Sequence, residues 1–301
     1  LHRLNRRQRQ MCIRDSVGTE SGAAVFDGRR FEPLPAPEGI EAPFVVAVAL
    51  DGDRILLACR AGLYAVEGAR ATMLAPWSLE RVHADIVPRP GGGFLVVNEH
   101  GVYRLSGDVL TPIAATPDLD LRAAHADSSG VWLGGRAGLV RLEDDGPVVI
   151  DPAPVRDFLT LPDGAVILGR EDGIYRLDDR ETPLLSACFV THLAALEERI
   201  VAACGDGLVV QAPSGGWEKF RVKEGLPGPI ATRVAVDGEG ALWVGALGQG
   251  LSRIDAVDVR LWSTAQGLPG RHVTSLLASP DALWVGTRHG GVRLDRDMTA
   301  E

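Results

Sequence analysis

The chain has 301 residues, with 31 Lys and Arg against 40 Asp and Glu and a formal charge of −9. A mixed, net acidic surface argues against nucleic acid or an anionic membrane as partner. The longest apolar runs, such as residues 44–50, are of strand length, well short of the ~20 residues of a membrane helix, so no membrane segment is expected.

Residues 1–16 stand apart from the rest. They carry several Arg, no repeat signature and no apolar stretch of a signal peptide. Met11-Cys12-Ile13-Arg14-Asp15-Ser16 reads as the translated end of a sequencing adapter, so 1–16 is expected to be a non-native, disordered leader. Residues 17–301 are expected to form one repeat domain, entered in mid-repeat at Val17-Gly18-Thr19 and belonging to a longer protein.

From there a glycine recurs after the second apolar run of each repeat: Gly22, Gly62, Gly101, Gly138, Gly173, Gly207, Gly250 and Gly290. An Arg often follows three residues on, as at Arg176 and Arg253, and an acid five residues on, as at Asp178, Asp255 and Asp295. A period near 40 built from short strand-like segments predicts an all-β propeller of four-stranded antiparallel blades. Helical repeats would need amphipathic stretches that this chain lacks.

In chain order, the first strand of each blade is predicted at 44–50, 82–87, 121–126, 155–161, 190–196, 230–236 and 272–278. The second strand is almost wholly apolar, as in Ile55–Cys59 or Leu283–Thr287, which implies burial on both faces. The recurrent glycine is expected to give the next turn a positive φ. The third strand alternates, and the fourth is expected to be outermost and most polar. Eight second-and-third-strand signatures accompany only seven first strands, so seven and eight blades both stay open. Trp132, Trp243 and Trp284 occupy one place in the second strand and are expected in the core between blades. Cys59, Cys188 and Cys204 are odd in number and lack Cys-x-x-Cys spacing; they are expected to be buried, inert thiols without a disulfide, and do not fix the compartment.

Two repeats carry more. Phe220, Gly225-Leu226-Pro227, Thr232, Asp237 to Gly245 and Gly250-Leu251-Ser252-Arg253-Ile254-Asp255 resemble the two-component regulator propeller repeat, and the copy ending at Asp295 matches it as well. The resemblance is specific over 217–295 and degenerate before. It implies a seven-bladed sensor region of a bacterial histidine kinase, hybrid regulator or diguanylate cyclase, periplasmic or extracellular. A separate output signalling domain is implied too, since no kinase, receiver or cyclase motif is present.

Hydrolase, zincin, P-loop and dinucleotide motifs are absent, so neither a cofactor nor a catalytic residue is assigned. The first strands of a propeller line its channel. Counting five residues back from the following turn gives Val46, His83, Arg122, Asp157, His192, Thr232 and Thr274, mostly polar within apolar strands. His83, Arg122, Asp157 and His192 are therefore the candidate ligand site, with Arg60, Arg136, Arg170 and Arg288 around its rim. The expected ligand is small and polar or anionic, a saccharide included. A metal at His83, Asp157 and His192 is set aside, because these residues lie on non-adjacent blades. The expected function is a non-enzymatic sensor; the alternatives are a propeller lyase or hydrolase of the streptogramin-lyase type and a protein-interaction scaffold.

Overall fold

The computed structural model describes residues 17–19, 22–26, 31–34 and 45–295, the last with short gaps at 53, 68–69, 81–82, 117, 238–239, 256–258, 267, 269, 280–281 and 289. The leader at 1–16 lies outside the described residues. Among the described residues, apart from two single-turn 3-10 helices, the regular structure is all β.

Six consecutive four-stranded antiparallel sheets span residues 45–76, 84–115, 121–151, 155–186, 190–220 and 231–262, each paired in simple chain order. The seventh sheet is composite. Val273–Ser279, Ala282–Thr287 and Gly290–Asp295 supply three strands, and Gly22–Phe26 adds in parallel to the last of them through Ala24 and Val292. Val17–Thr19 and Phe31–Leu34 pair with Gly22–Phe26 on either edge of it. The Gly22 signature thus joins this sheet.

The seven first strands stand side by side, each packed on the next, and Val273–Ser279 packs on Val45–Asp51 to complete the circuit. The apolar second strands sit where two-sided burial was expected: Leu56, Leu57, Leu95, Leu133, Leu168 and Val201 are fully buried. Each hydrophobic cluster is shared between neighbouring sheets. One unites Val46, Leu56 and Leu63 with Ala84, Ile86 and Phe94; another unites Trp284 with Ile55, Leu57 and Tyr64.

The recurrent glycine has a more general cause than a positive φ. Gly138, Gly207 and Gly250 have φ of 113°, 140° and 93°, but Gly62, Gly101 and Gly173 do not lie in that region. At all six, a Cβ would run into a backbone carbonyl of the sheet's outer strand, so close approach is the shared requirement. In the Gly-Leu-Pro phrase, Gly225 closes a 3-10 turn with φ 103° and Leu226 is buried.

Three expectations are corrected. Cys188 and Cys204 form a disulfide, with Cα atoms 5.8 Å apart, leaving Cys59 as the free thiol among the described residues. The pairing is within one sheet. Cys204 faces Val190 across the ladder, and Cys188 lies two residues before Val190 on the same end of the sheet. Burial pushes the Cys59 thiol far up, so that one is inert as expected. The outer strands are not uniformly polar: Val109, Ile113, Val148, Val149 and Ile150 are exposed on the second and third sheets. Trp243 and Trp284 are core, but Trp132 is only partly buried, with Arg141 over its ring.

Two outcomes follow. Peptide mapping without reductant should recover Cys188 linked to Cys204, and reduction should cost about 3 kcal/mol, the value for a loop of this length; an unchanged Tm with reductant would remove the bridge from the fold. Thr274 Oγ1 donates to the Val45 carbonyl at 2.8 Å, across the junction between the chain's late and early strands. Thr274→Val, nearly isosteric, should lower stability by about 1–3 kcal/mol by leaving that carbonyl unmet, while Thr274→Ser should recover most of the loss in a thermal melt.

Candidate functional site

A β-bulge interrupts the first strand of six sheets at the same place. The ladder skips one residue between Val45 and Ala47, Leu121 and Ala123, Val155 and Asp157, Val190 and His192, Ala231 and Arg233, and Val273 and Ser275. The skipped residues form one column around the channel: Val46, Arg122, Arg156, Thr191, Thr232 and Thr274, with His83 just ahead of the corresponding strand of the second sheet. The residues after them form a second column, Ala47, Asp85, Ala123, Asp157, His192, Arg233 and Ser275, each opposite an equivalent second-strand position. A bulge leaves its extra residue out of the ladder and re-aims its side chain.

Each column has a structural duty. In the first, Thr191, Thr232 and Thr274 donate to the carbonyls of Ala231, Val273 and Val45 on the next sheet, all at 2.8 Å. In the second, Asp85 accepts from the Ala124 N–H at 2.9 Å, Asp157 from Leu193 at 2.6 Å, and His192 Nδ1 from Val234 at 3.5 Å. The pattern is incomplete: Val46, Ala47 and Ala123 can make neither bond, the Ser275 hydroxyl has no partner, and three positions hold Arg. Arg122 and Arg156 stand where threonine would donate, and Arg233, which has no acceptor atom, stands where an acceptor belongs.

The sequence-predicted residues fall as follows. Arg122 lies in the first column, as counted; His83 precedes the unbulged first strand of the second sheet and has no place in it, and Asp157 and His192 belong to the second column. His192 Nε2 is 3.9 Å from Asp157 Oδ2. Arg60, Arg136 and Arg288 have exposed side chains in the turns after the second strands. Arg170 is turned inward instead: it is 4% exposed, ion-paired with Asp151 at 2.6 Å and stacked over Tyr175. Asp85, Arg156, Thr191, Arg233 and Ser275 were missed. The count ran from the following turn, and the strands overrun the bulge by unequal lengths. Counting from the recurrent glycine, through the ladder, recovers them.

The electrostatics are those of a desolvated channel. Burial raises the Asp85 and Asp157 carboxyls to about 6, against hydrogen bonds from Ala124 and Leu193 that pull them down. Burial, with Arg122 next, lowers His83 to about 4; burial, with Arg233 next, lowers His192 to about 3, so both are neutral at pH 7. Arg122 pairs with Asp120 at 3.3 Å and Arg156 with Glu171 at 3.1 Å, yet the Nε of each is buried without a partner. Arg233 has one hydrogen bond among the described residues, from Nη1 to the Thr232 carbonyl at 2.9 Å, and no carboxylate within ion-pair distance. Arg156 lies within electrostatic reach of both Arg122 and Arg233, and its pKa is lowered by burial first and by Arg122 second. Arg156, Arg233, Asp85, Asp157, Thr191 and His192 line a cavity of about 100 Å³. That is room for about three waters at ~30 Å³ each. No cluster of His, Cys, Asp and Glu able to hold a metal occurs among the described residues.

No protein-family model matches the chain, and no curated protein matches it in sequence. Solved structures match its fold. The extracellular domain of a protein described as a hybrid two-component system of B. thetaiotaomicron superposes with a TM-score of 0.71 at 17% identity, over 86% of this chain and 40% of that one. Virginiamycin B lyase of Staphylococcus aureus gives 0.68 at 10% identity, over 83% and 94%. PorZ, a surface component of the type-IX secretion system of Porphyromonas gingivalis, gives 0.60 at 12%, over 88% and 48%. The chain thus spans well under half the length of the first of these, and the likenesses establish the propeller fold.

The raised carboxyls make stability depend on pH with a defined sign. A carboxyl whose folded pKa lies above its unfolded value binds more protons in the native state, so its contribution falls as pH rises from about 4 through about 6. Asp157→Asn retains an acceptor for the Leu193 N–H and cannot ionise. The variant should match the parent below pH 4 and exceed it by about 1–3 kcal/mol above pH 6.5 in denaturant titrations. A variant that matches the parent below pH 4 but is less stable than it above pH 6.5 would show that the ring needs the ionised carboxylate.

Proposed function

We propose that this chain is a non-enzymatic sensor propeller of a bacterial signal-transduction protein, binding a small polar or anionic ligand where Arg122, Arg156 and Arg233 converge on the channel. The convergence carries the reading. Three guanidiniums replace residues that tie the sheets together, approach one another, and keep buried or unused donors. Functional sites are where a repeated structural rule is broken without structural gain. His83, Asp157 and His192 complete the wall, and Arg60, Arg136 and Arg288 raise the positive potential around the mouth of an otherwise acidic protein.

Three observations support the rest. The seven first strands in circuit fit a seven-bladed ring whose last blade is the composite sheet. The Cys188–Cys204 bridge favours an oxidising compartment, the periplasm or the cell exterior, as for the extracellular domain that shares the fold. The repeat resemblance at 217–295 points to two-component signalling, with the output domain in another part of the whole protein. The second reading is an elimination activity of the lyase kind, since a neutral His192 stands beside Asp157. Against it, both side chains are taken up by backbone N–H groups of the next sheet.

Arg122→Ala and Arg156→Ala should each weaken a ligand found by thermal-shift screening of small carboxylates, phosphate and acidic sugars by about ten- to hundredfold, the value of one charge-assisted hydrogen bond. The apo melting curve should stay cooperative. A ligand indifferent to both substitutions would place its site elsewhere and overturn this reading.

A further inference from the structure

Resting on the channel as the ligand site, we infer that its occupant is a compact inorganic oxyanion of sulfate or phosphate type, held by Arg233 and Arg156 inside the ring of first strands. Sugar acids would be excluded.

The argument begins with what the wall lacks. Arg233 offers five N–H donors and uses one. The carboxylates that could pair with it are committed: Asp85 accepts from Ile86 and Ala124, and Asp157 from Leu193. Arg156 stacks its guanidinium over Phe189 and ties one Nη to Glu171, leaving Nε buried and unpartnered. Ser275, in the same column, also lines that cavity, with its hydroxyl turned onto Gly286. Unmet donors of Arg156 and Arg233, from the fourth and sixth sheets, therefore border one space. A group that accepts from several directions at once satisfies them, and a tetrahedral oxyanion does so with its separate oxygens.

Size selects within that chemistry. The cavity of about 100 Å³ takes the bulk of a few waters, which suits sulfate or phosphate. Ring-sized sugar acids need several times that space, and typical small-molecule pockets hold ~300–1,000 Å³. Asp85 and Asp157 set the pH response. The groups around them are Arg233, which acts on both, Asp157 beside Asp85, and Arg156 and His192 in the same cavity, of which His192 is neutral at pH 7. An anion entering beside two carboxyls favours their protonated form, so affinity should rise as pH falls through about 6.

The test is isothermal titration of the intact chain with sodium sulfate, which stays ionised throughout, at pH 5.5 and 7.5, with chloride-matched ionic strength. Sodium glucuronate is titrated in parallel. Saturable sulfate binding, tighter at pH 5.5 and weakened at least tenfold by Arg233→Gln and by Arg156→Gln, is expected, with no glucuronate binding. Asp157→Asn should flatten the pH dependence of the sulfate affinity. Glucuronate binding without sulfate binding, sensitive to the Arg substitutions, would overturn this inference and leave the channel reading intact. Binding of either anion that ignores both substitutions would overturn the two together, as would no heat from either anion in a protein whose melt confirms it is folded.

Discussion

An innermost strand of a propeller is paired on one edge only. Its other edge carries N–H and C=O groups that face the neighbouring sheet and the channel, and buried backbone groups must be met. Here the preceding sheet meets them with side chains. Threonines at the bulge donate to carbonyls, and Asp85, Asp157 and His192 accept from N–H groups. The bulge makes this possible, since it turns two successive residues of each first strand toward work outside their own ladder. The polar lining of the channel is therefore first a joint between sheets and only second a candidate binding surface.

The apolar contacts follow the same geometry. A glycine in the second strand lets the next sheet's first strand come close: side chains at Gly134, Gly169 and Gly245 would collide with Val155, Val190 and Val273. Hydrophobic clusters consequently sit between sheets, and stability is passed from neighbour to neighbour as in other repeat folds. In such an array a free end is the weak point. The contact of Val273–Ser279 with Val45–Asp51, and the Thr274 bond across it, bring the two ends of that array together.

Much of this was legible in the sequence because it rests on repetition. The Gly62-to-Gly290 spacing and the apolar second strands define the blades, since close packing admits few alternatives at those positions. What was not legible depended on local slips of one residue. The bulge shifts the pleat, so a count taken from the turn placed Asp157 and His192 with Arg122, although Arg156 and Thr191 share its column. Arg170 looked like a rim cation from its position, but its neighbour Asp151 belongs to another strand and draws it inward. Cys188 and Cys204 were set aside because three cysteines are odd in number and lack Cys-x-x-Cys spacing; the informative relation was that Cys188 lies two residues ahead of Cys204's ladder partner.

The arginines show what a site in such a channel gives up. Between the third and fourth sheets, Arg122 and Ala123 supply neither a threonine bond nor an acceptor, and the joint relies on Val155 and Phe158 packed over Gly134 and on Thr160 with His125 at 3.3 Å. Between the fourth and fifth, Asp157 keeps its bond while Arg156 does not supply one to the next sheet. Between the sixth and seventh, the Thr232 bond survives beside an Arg233 that accepts nothing. Each Arg thus stands in place of one of the two ties at its joint; beside Ala123 both are missing, as they are at Val46 and Ala47 between the first and second sheets. A buried guanidinium without its own carboxylate, as at Arg233, is costly, whereas Arg122 and Arg156 keep Asp120 and Glu171. Arg156 and Arg233 line one small cavity of an acidic chain, and that separates this channel from a merely wet one.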